Sequence, residues 1–193
     1  MASAYDAFSE GIELGGLRSR SEIRLLICYL LKSLDAPVPR ALLNDAVLQE
    51  GLANYFELNQ AVEELLANGN VRSFEQDGEE LFSVTETGRD IAELLQTNLT
   101  RTVREKAVRA ALNLLTVYRR EKENRIEIQK TGAGYKIDIG MFATAADKEQ
   151  GNSFLSLSLF TSDAMQAESI KKGFLKDPVK LCDVIMSTLL GGE

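Results

Sequence analysis

With 193 residues, 45% apolar and 26% charged, the chain has the composition of a globular protein that can bury a core without disulfide or metal staples. It contains no histidine and two cysteines, which excludes imidazole-based triads and dyads and most zinc sites. The net charge of −7 is uneven: residues 21–90 hold 5 basic and 13 acidic groups, whereas residues 99–133 hold 9 basic and 4 acidic ones.

In chain order, residues 1–20 read as an N-terminal arm. Its start, Met-Ala-Ser-Ala-Tyr-Asp, lacks the basic segment and apolar stretch of a signal peptide. No apolar run in the chain approaches the ~20 residues of a membrane helix, so a cytoplasmic protein without membrane contact is expected. In that compartment Asn98-Leu99-Thr100 matches a glycosylation acceptor only by accident. From Ser21, a plausible cap, Ile23, Leu26, Ile27, Leu30 and Leu31 recur at helical spacing. The prolines of Asp35-Ala-Pro-Val-Pro39 end that helix. A second begins near Pro39 and Arg40, with Leu42, Leu43, Ala46 and Val47 inward, and breaks at Gly51. Asn54 and Glu57 form a capping-box pattern, opening a third helix with Leu58, Val62, Leu65 and Leu66 on one face. Two alternating runs, Val71–Phe74 and Leu81–Val84, flank Asp77-Gly78, a hairpin turn signal. Thr85-Glu-Thr-Gly-Arg89 restarts a helix through Ile91, Leu94 and Leu95. Cys28 lies in the first helical pattern and Cys182 in the last, each read as a buried thiol acting as a small hydrophobe. The ordered set predicts a winged helix-turn-helix domain over 21–97.

The run Val-Thr-Glu-Thr-Gly-Arg-Asp-Ile-Ala-Glu-Leu-Leu (84–95) resembles the strand-to-helix exit of the wing in MarR- and PadR-type bacterial regulators. More closely, GGLRSRSEIRLLICYLL (15–31) and GLANYFELNQAVEELLANGNV (51–71) resemble an uncharacterised bacterial family of winged-helix proteins, a domain of unknown function, over most of the chain. The wider superfamily implies a third helix placed in the DNA major groove, usually in a dimer. By position, Tyr55, Phe56, Asn59, Gln60 and Glu63 would face that groove. The carboxamides of Asn59 and Gln60 suit bidentate contacts with adenine, or else are solvated helix surface. Tyr55 and Phe56 contact the groove or lock the helix start. The wing tip, Glu75-Gln-Asp-Gly-Glu-Glu80, opposes the DNA reading, because it carries four carboxylates where phosphate contact requires cations. Arg72 at the wing's base and Arg40 on the second helix are the nearby groups able to hold phosphate.

Thr102 and Glu105 suggest a cap for a long connecting helix over 98–124, with Val103, Ala107, Ala110, Ala111, Leu114 and Tyr118 on one stripe. Its other faces carry Arg101, Arg104, Lys106, Arg109, Arg119, Arg120 and Lys122. This basic face reads as a solvated surface, as a phosphate contact led by Arg101 and Arg104, or as a docking surface for the acidic winged domain. After Asn124 the period becomes alternating: Arg125–Lys130, a turn at Thr131-Gly-Ala-Gly134, and Tyr135–Met141. The glycines there lack the spacing of a phosphate-binding loop and join two strands. A polar loop over Ala143–Asn152, a strand over Ser153–Phe160, a helix capped by Ser162 and another begun by Asp177-Pro178 complete a C-terminal α+β domain over 125–193.

An α+β protein is expected: a winged-helix DNA-binding transcriptional regulator with a C-terminal dimerisation or sensing domain, a homodimer on double-stranded DNA. No catalytic residue, metal or cofactor is expected, and no small-molecule ligand is specified. The candidate DNA contacts are Arg40, Tyr55, Asn59, Gln60, Arg72, Arg101 and Arg104. The alternative is a winged-helix protein-interaction module that does not bind DNA. The small-residue stripe of Ala107, Ala110 and Ala111 permits close helix approach, so dimerisation is expected through this helix, the C-terminal domain or both.

Overall fold

The computed structural model describes Leu17 and residues 19–191, so most of the expected arm lies outside the described residues. These residues form a mixed α+β chain of eight α-helices and two antiparallel three-stranded sheets. The chain divides into two compact units after Leu115.

In the first unit, α1 (Arg20–Leu34) is capped by Ser19, not Ser21. The reason is chemical: Glu22 lies three residues beyond Ser19 and returns a bond to its backbone N–H at 3.0 Å, whereas Arg24 lies three beyond Ser21 and has no acceptor to return. α1 is the spine of the unit, with Ile23, Leu26, Ile27 and Leu30 fully buried. It stops at Asp35, which adopts a left-handed conformation (φ 47°). β1 (Val38–Pro39) leads into α2 (Arg40–Leu48), whose Leu42, Leu43, Ala46 and Val47 are all buried as expected. α3 (Tyr55–Ala67) is capped by the Asn54 side chain, which accepts the Glu57 N–H at 2.9 Å.

The hairpin of β2 (Val71–Gln76) and β3 (Glu79–Val84) turns on Asp77 and Gly78, both at positive φ, so its two-residue loop matches the strands' twist. Thr85 caps α4 (Glu86–Leu95), and a short 3₁₀ turn, Gln96–Asn98, follows. β1 was not anticipated. Two residues, the second a proline, are too few to show alternation, yet Val38 pairs with Phe82 and Pro39 with Leu81, giving the strand order β1-β3-β2.

α5 (Arg101–Glu123) is capped two residues earlier than expected: the Thr100 hydroxyl accepts the Val103 N–H at 3.3 Å, and Thr102 lies inside the helix. Its Val103, Ala107, Ala111 and Leu115 are buried within the first unit. The small-residue stripe therefore seats α5 on its own chain and is not free for a second copy. Lys106 reaches Glu50, carboxylate at 3.3 Å and carbonyl at 2.9 Å, so part of the basic face docks on the acidic unit as one reading expected.

In the second unit β4 (Arg125–Thr131), β5 (Gly134–Met141) and β6 (Leu155–Thr161) form a meander. The expected polar loop contains a short helix, α6 (Ala145–Gln150), because Thr144 caps it through the Asp147 N–H and Gly151 ends it in the left-handed region. α7 (Ala164–Lys176) is capped by Asp163 rather than Ser162. The carboxylate accepts the Met165 N–H at 3.0 Å and adds a negative charge at the positive end of the helix. α8 (Pro178–Leu189) begins as expected, with Asp177 as cap and proline first. One sheet face carries Ile137, Ile139 and Met141 against Ala167, Phe174 and Leu175. The other is polar: Asp138 accepts from Ser158 at 2.7 Å and pairs with Lys136 at 2.8 Å. Two helix C-termini in this unit are closed by cations. Lys148 donates to the Asn124 carbonyl at 2.6 Å and to that of Lys122, and Arg120 donates to the Leu175 carbonyl at 2.9 Å.

Among the described residues no helix is long and apolar enough to cross a membrane. Cys28 is 1% exposed and burial pushes its thiol up to about 11, whereas Cys182 is half-buried. Alkylation of the native protein near neutral pH is expected to modify Cys182 alone, and Cys28 only after unfolding. A Cys182→Ser variant with a fast-reacting native thiol contradicts this. As pH rises from 9 towards 11 the unfolded chain loses the Cys28 proton while the folded chain keeps it. Stability therefore falls over that window, which urea midpoints measured against pH will show.

Candidate recognition surface on the third helix

α3 turns Leu58, Ala61, Val62 and Leu65 inward. Its outward side begins with two aromatics, Tyr55 and Phe56, 56% and 82% exposed, whose rings meet edge-to-face at 5.8 Å. One turn on, the half-buried Asn59 donates to the Tyr55 carbonyl at 2.8 Å, and its side-chain oxygen lies 3.5 Å from both Arg40 and Asn44. Gln60 is exposed and reaches Glu64 at 3.4 Å. The Arg40 guanidinium lies over the Phe82 ring, 5.2 Å from its centroid, and is ion-paired to Glu63. Asn59 is thus already engaged in bonds within the unit.

Two further arginines meet this helix. Arg20 pairs with Glu57 at 2.7 Å and Arg24 with Glu64 at 2.9 Å. The hydrogen bond to Glu57 holds the Arg20 guanidinium above its ordinary range. Sequence reasoning singled out neither arginine, although a signal was available. Arg20 and Arg24 lie one turn apart on α1, and Glu57 and Glu64 two turns apart on α3, so complementary charges line one face of each helix.

The other candidates stand elsewhere. Arg72 is on β2, its Nε 3.0 Å from the Ser83 hydroxyl and its guanidinium 5.9 Å from the Phe74 centroid. Arg101 is 83% exposed and pairs with Glu105 on its own helix at 2.6 Å. Arg104 is half-buried. It lies 5.7 Å from the Tyr29 centroid and donates to Gln96 at 3.1 Å, tying α5 to α1 and to the 3₁₀ turn.

Among the described residues from 19 to 98, Arg20, Arg24, Lys32, Arg40 and Arg89 each have a carboxylate partner, and Arg72 does not. The positive charge of this stretch is thus largely neutralised within it. The hairpin tip adds three exposed carboxylates, Glu75, Asp77 and Glu80. The described residues contain no group of three or more His, Cys, Asp or Glu arranged to hold a metal ion.

No curated protein and no solved structure is significantly similar to the chain. A family model described as a domain of unknown function, DUF4364, matches residues 23–189. That match starts in α1, ends at the last residue of α8 and takes in both units, so the chain belongs to the DUF4364 family.

Proposed function

We propose that the first unit is a winged helix-turn-helix module that recognises a protein partner through the exposed start of α3, and that the chain is not an enzyme. The order of three helices, a hairpin and a fourth helix supports the winged-helix reading, with α3 in the place of the recognition helix. One observation carries the choice of partner: Arg20, Arg24 and Arg40 are each ion-paired to a glutamate of α3 itself. Duplex DNA is held chiefly by cations on phosphates. Here those cations already serve carboxylates, and the hairpin tip would present three more to the duplex. Exposed ion pairs are individually weak, so it is the surplus of carboxylate that opposes phosphate, more than the energy of any one pair. A protein partner needs no phosphate term. Tyr55 and Phe56 are aromatic anchors of the kind that dominate protein interfaces, and the flanking glutamates favour a basic surface opposite them.

A second reading, the homodimeric DNA-binding transcriptional regulator, draws on Arg72, which has no carboxylate partner, and on the exposed Tyr55 and Gln60. Fluorescence anisotropy with genomic duplex fragments separates the two. No fragment is expected to bind better than random duplex even at about 50 mM salt, where phosphate contacts are strongest. A photo-crosslinking residue at position 56 is expected to give a discrete protein adduct in the source cell. Sequence-selective binding at low salt, weakened by Gln60→Ala by ~1–3 kcal/mol and at all sequences by Arg72→Ala, establishes the regulator instead.

A further inference from the structure

A sheet edge is a row of unpaired backbone donors and acceptors, ordinarily guarded by charge, proline or shortness. In the second unit the edge strands are β4 and β6. β4 carries Arg125, Glu127 and Lys130. β6 has no such guard, for from Ser153 to Ser162 the chain holds no charged residue, no proline and no glycine. The register shows which of its groups are unused. Thr131 and Gly134 close the β4–β5 hairpin as a hydrogen-bonded pair around a two-residue loop, and the ladder alternates from there. Every second residue of β5 from Tyr135 to Met141 therefore bonds to β6, at Leu155, Leu157, Leu159 and Thr161. This leaves the N–H and C=O groups of Ser156, Ser158 and Phe160 directed away from the sheet, and all three residues are exposed. The serine hydroxyls are engaged within the unit, Ser158 with Asp138 and Ser156 with Ser153, so the open groups are those of the backbone.

We infer that β6 is a pairing edge, and that its occupant is β6 of a second copy, antiparallel across a two-fold axis at Leu157. The sequence singles out that occupant. Phe154-Leu-Ser-Leu-Ser-Leu-Phe160 reads identically in both directions, and antiparallel self-pairing sets a strand against its own reverse. With the axis at Leu157, Leu155 meets Leu159 of the second copy, Ser156 meets Ser158, and Phe154 falls opposite Phe160. A two-fold interface requires a patch that complements itself, and here every position meets its own kind. Backbone polarity agrees independently. Ser156 and Ser158 both direct their backbone groups outward, so opposite one another they form hydrogen-bonded pairs, and the seam gains about six such bonds. Main-chain bonds are what give strand addition its affinity. The faces agree as well: the leucines continue the side of Ile137 and Ile139, and the serines continue the polar side. Phe154 and Phe160, 57% and 60% exposed, are brought together at each end of the seam. Two three-stranded sheets become one of six strands with the charged β4 at both edges, so assembly stops at two copies. The seam lies within the second unit and is independent of what the first unit recognises.

Sedimentation of the full chain is expected to give about twice the 21.3 kDa chain mass at micromolar concentration. The double variant Ser156→Lys, Ser158→Lys is expected to sediment as a monomer with an unchanged circular dichroism spectrum. Both side chains are already exposed, and pairing would set lysine opposite lysine. Mixed with the variant Ser156→Glu, Ser158→Glu, it is expected to return to the dimer mass, since this register sets each lysine against a glutamate. In a Cys182→Ser background, mild oxidation is expected to link two chains through Leu157→Cys, whose Cβ atoms would stand ~5 Å apart at the axis. Leu155→Cys is expected not to link, because its two copies lie on opposite sides of the axis. If Leu157→Cys does not fold, the lysine and glutamate variants decide alone. A monomeric native chain, a dimer that survives the lysines, a mixture that stays monomeric, or a folded Leu157→Cys chain that does not link overturns the pairing.

Discussion

Phe82→Ala is expected to lower the stability of the first unit by about 3–5 kcal/mol, as measured by urea unfolding. Phe82 has no exposed area and sits mid-strand on β3, paired with Val38 on one side and Ser73 on the other. Backbone ladders on both sides keep β1 and β2 from moving in, so truncation leaves a cavity rather than a collapsed core. The ring also faces the Arg40 guanidinium at 5.2 Å, and that attraction is lost with it. Arg40 thereby loses the surface that aims it at α3. Phe82→Leu, which keeps most of the volume, is expected to cost clearly less. Equal losses for the two variants would place the stabilisation in the aromatic–cation contact rather than in packing.

Gly88→Ala is expected to destabilise the same unit by about 1–3 kcal/mol or more, against the trend of helix propensity, which alone favours alanine by about 1 kcal/mol. Gly88 lies in the first turn of α4, and a Cβ there would stand 2.2 Å from the Asn70 carbonyl oxygen and 2.8 Å from Val84 Cγ2. That carbonyl cannot easily retreat, because it accepts both the Thr85 N–H and the Thr85 hydroxyl at 3.0 Å, the bonds that join hairpin to helix. Gly173 on α7 provides the contrast. Nothing lies within 4 Å of its would-be Cβ, so Gly173→Ala is expected to be neutral or stabilising. Thermal melts of the two variants should move in opposite directions. A Gly88→Ala protein as stable as the native one would mean that the hairpin–helix joint yields.

The helices of the first unit were legible because each repeats its apolar residues over three turns or more, and the hairpin because Asp77-Gly78 has few other uses. The misplaced elements share a different cause. Ser19, Thr100 and Asp163 cap helices beside Ser21, Thr102 and Ser162, chemically similar neighbours; Glu22 three residues on marks Ser19, whereas for the other two only the partner met in space decides. β1 was invisible because two residues carry no period. α6 was hidden by its polarity, since a six-residue exposed helix buries nothing that alternation or a stripe could mark. For the candidate site, position along α3 correctly identified an exposed Tyr55 and Gln60. The pairings that neutralise Arg20, Arg24 and Arg40 join residues 23 to 40 positions apart, and no local pattern states which carboxylate an arginine will meet.

The strand order β1-β3-β2 also bears on how the edges of the sheet meet other chains. A three-stranded sheet has two edges, each a row of backbone groups on which another chain could add a strand. β1 offers two residues, the second a proline without an N–H, so little can be built on it. β2 is longer, but Glu75 stands on it opposite Glu80, with Asp77 at the turn. Two molecules approaching edge to edge bring these like charges together, and the encounter is repulsive before any backbone bond forms. The carboxylates proposed above to repel phosphate thus also oppose edge-to-edge pairing of the sheet.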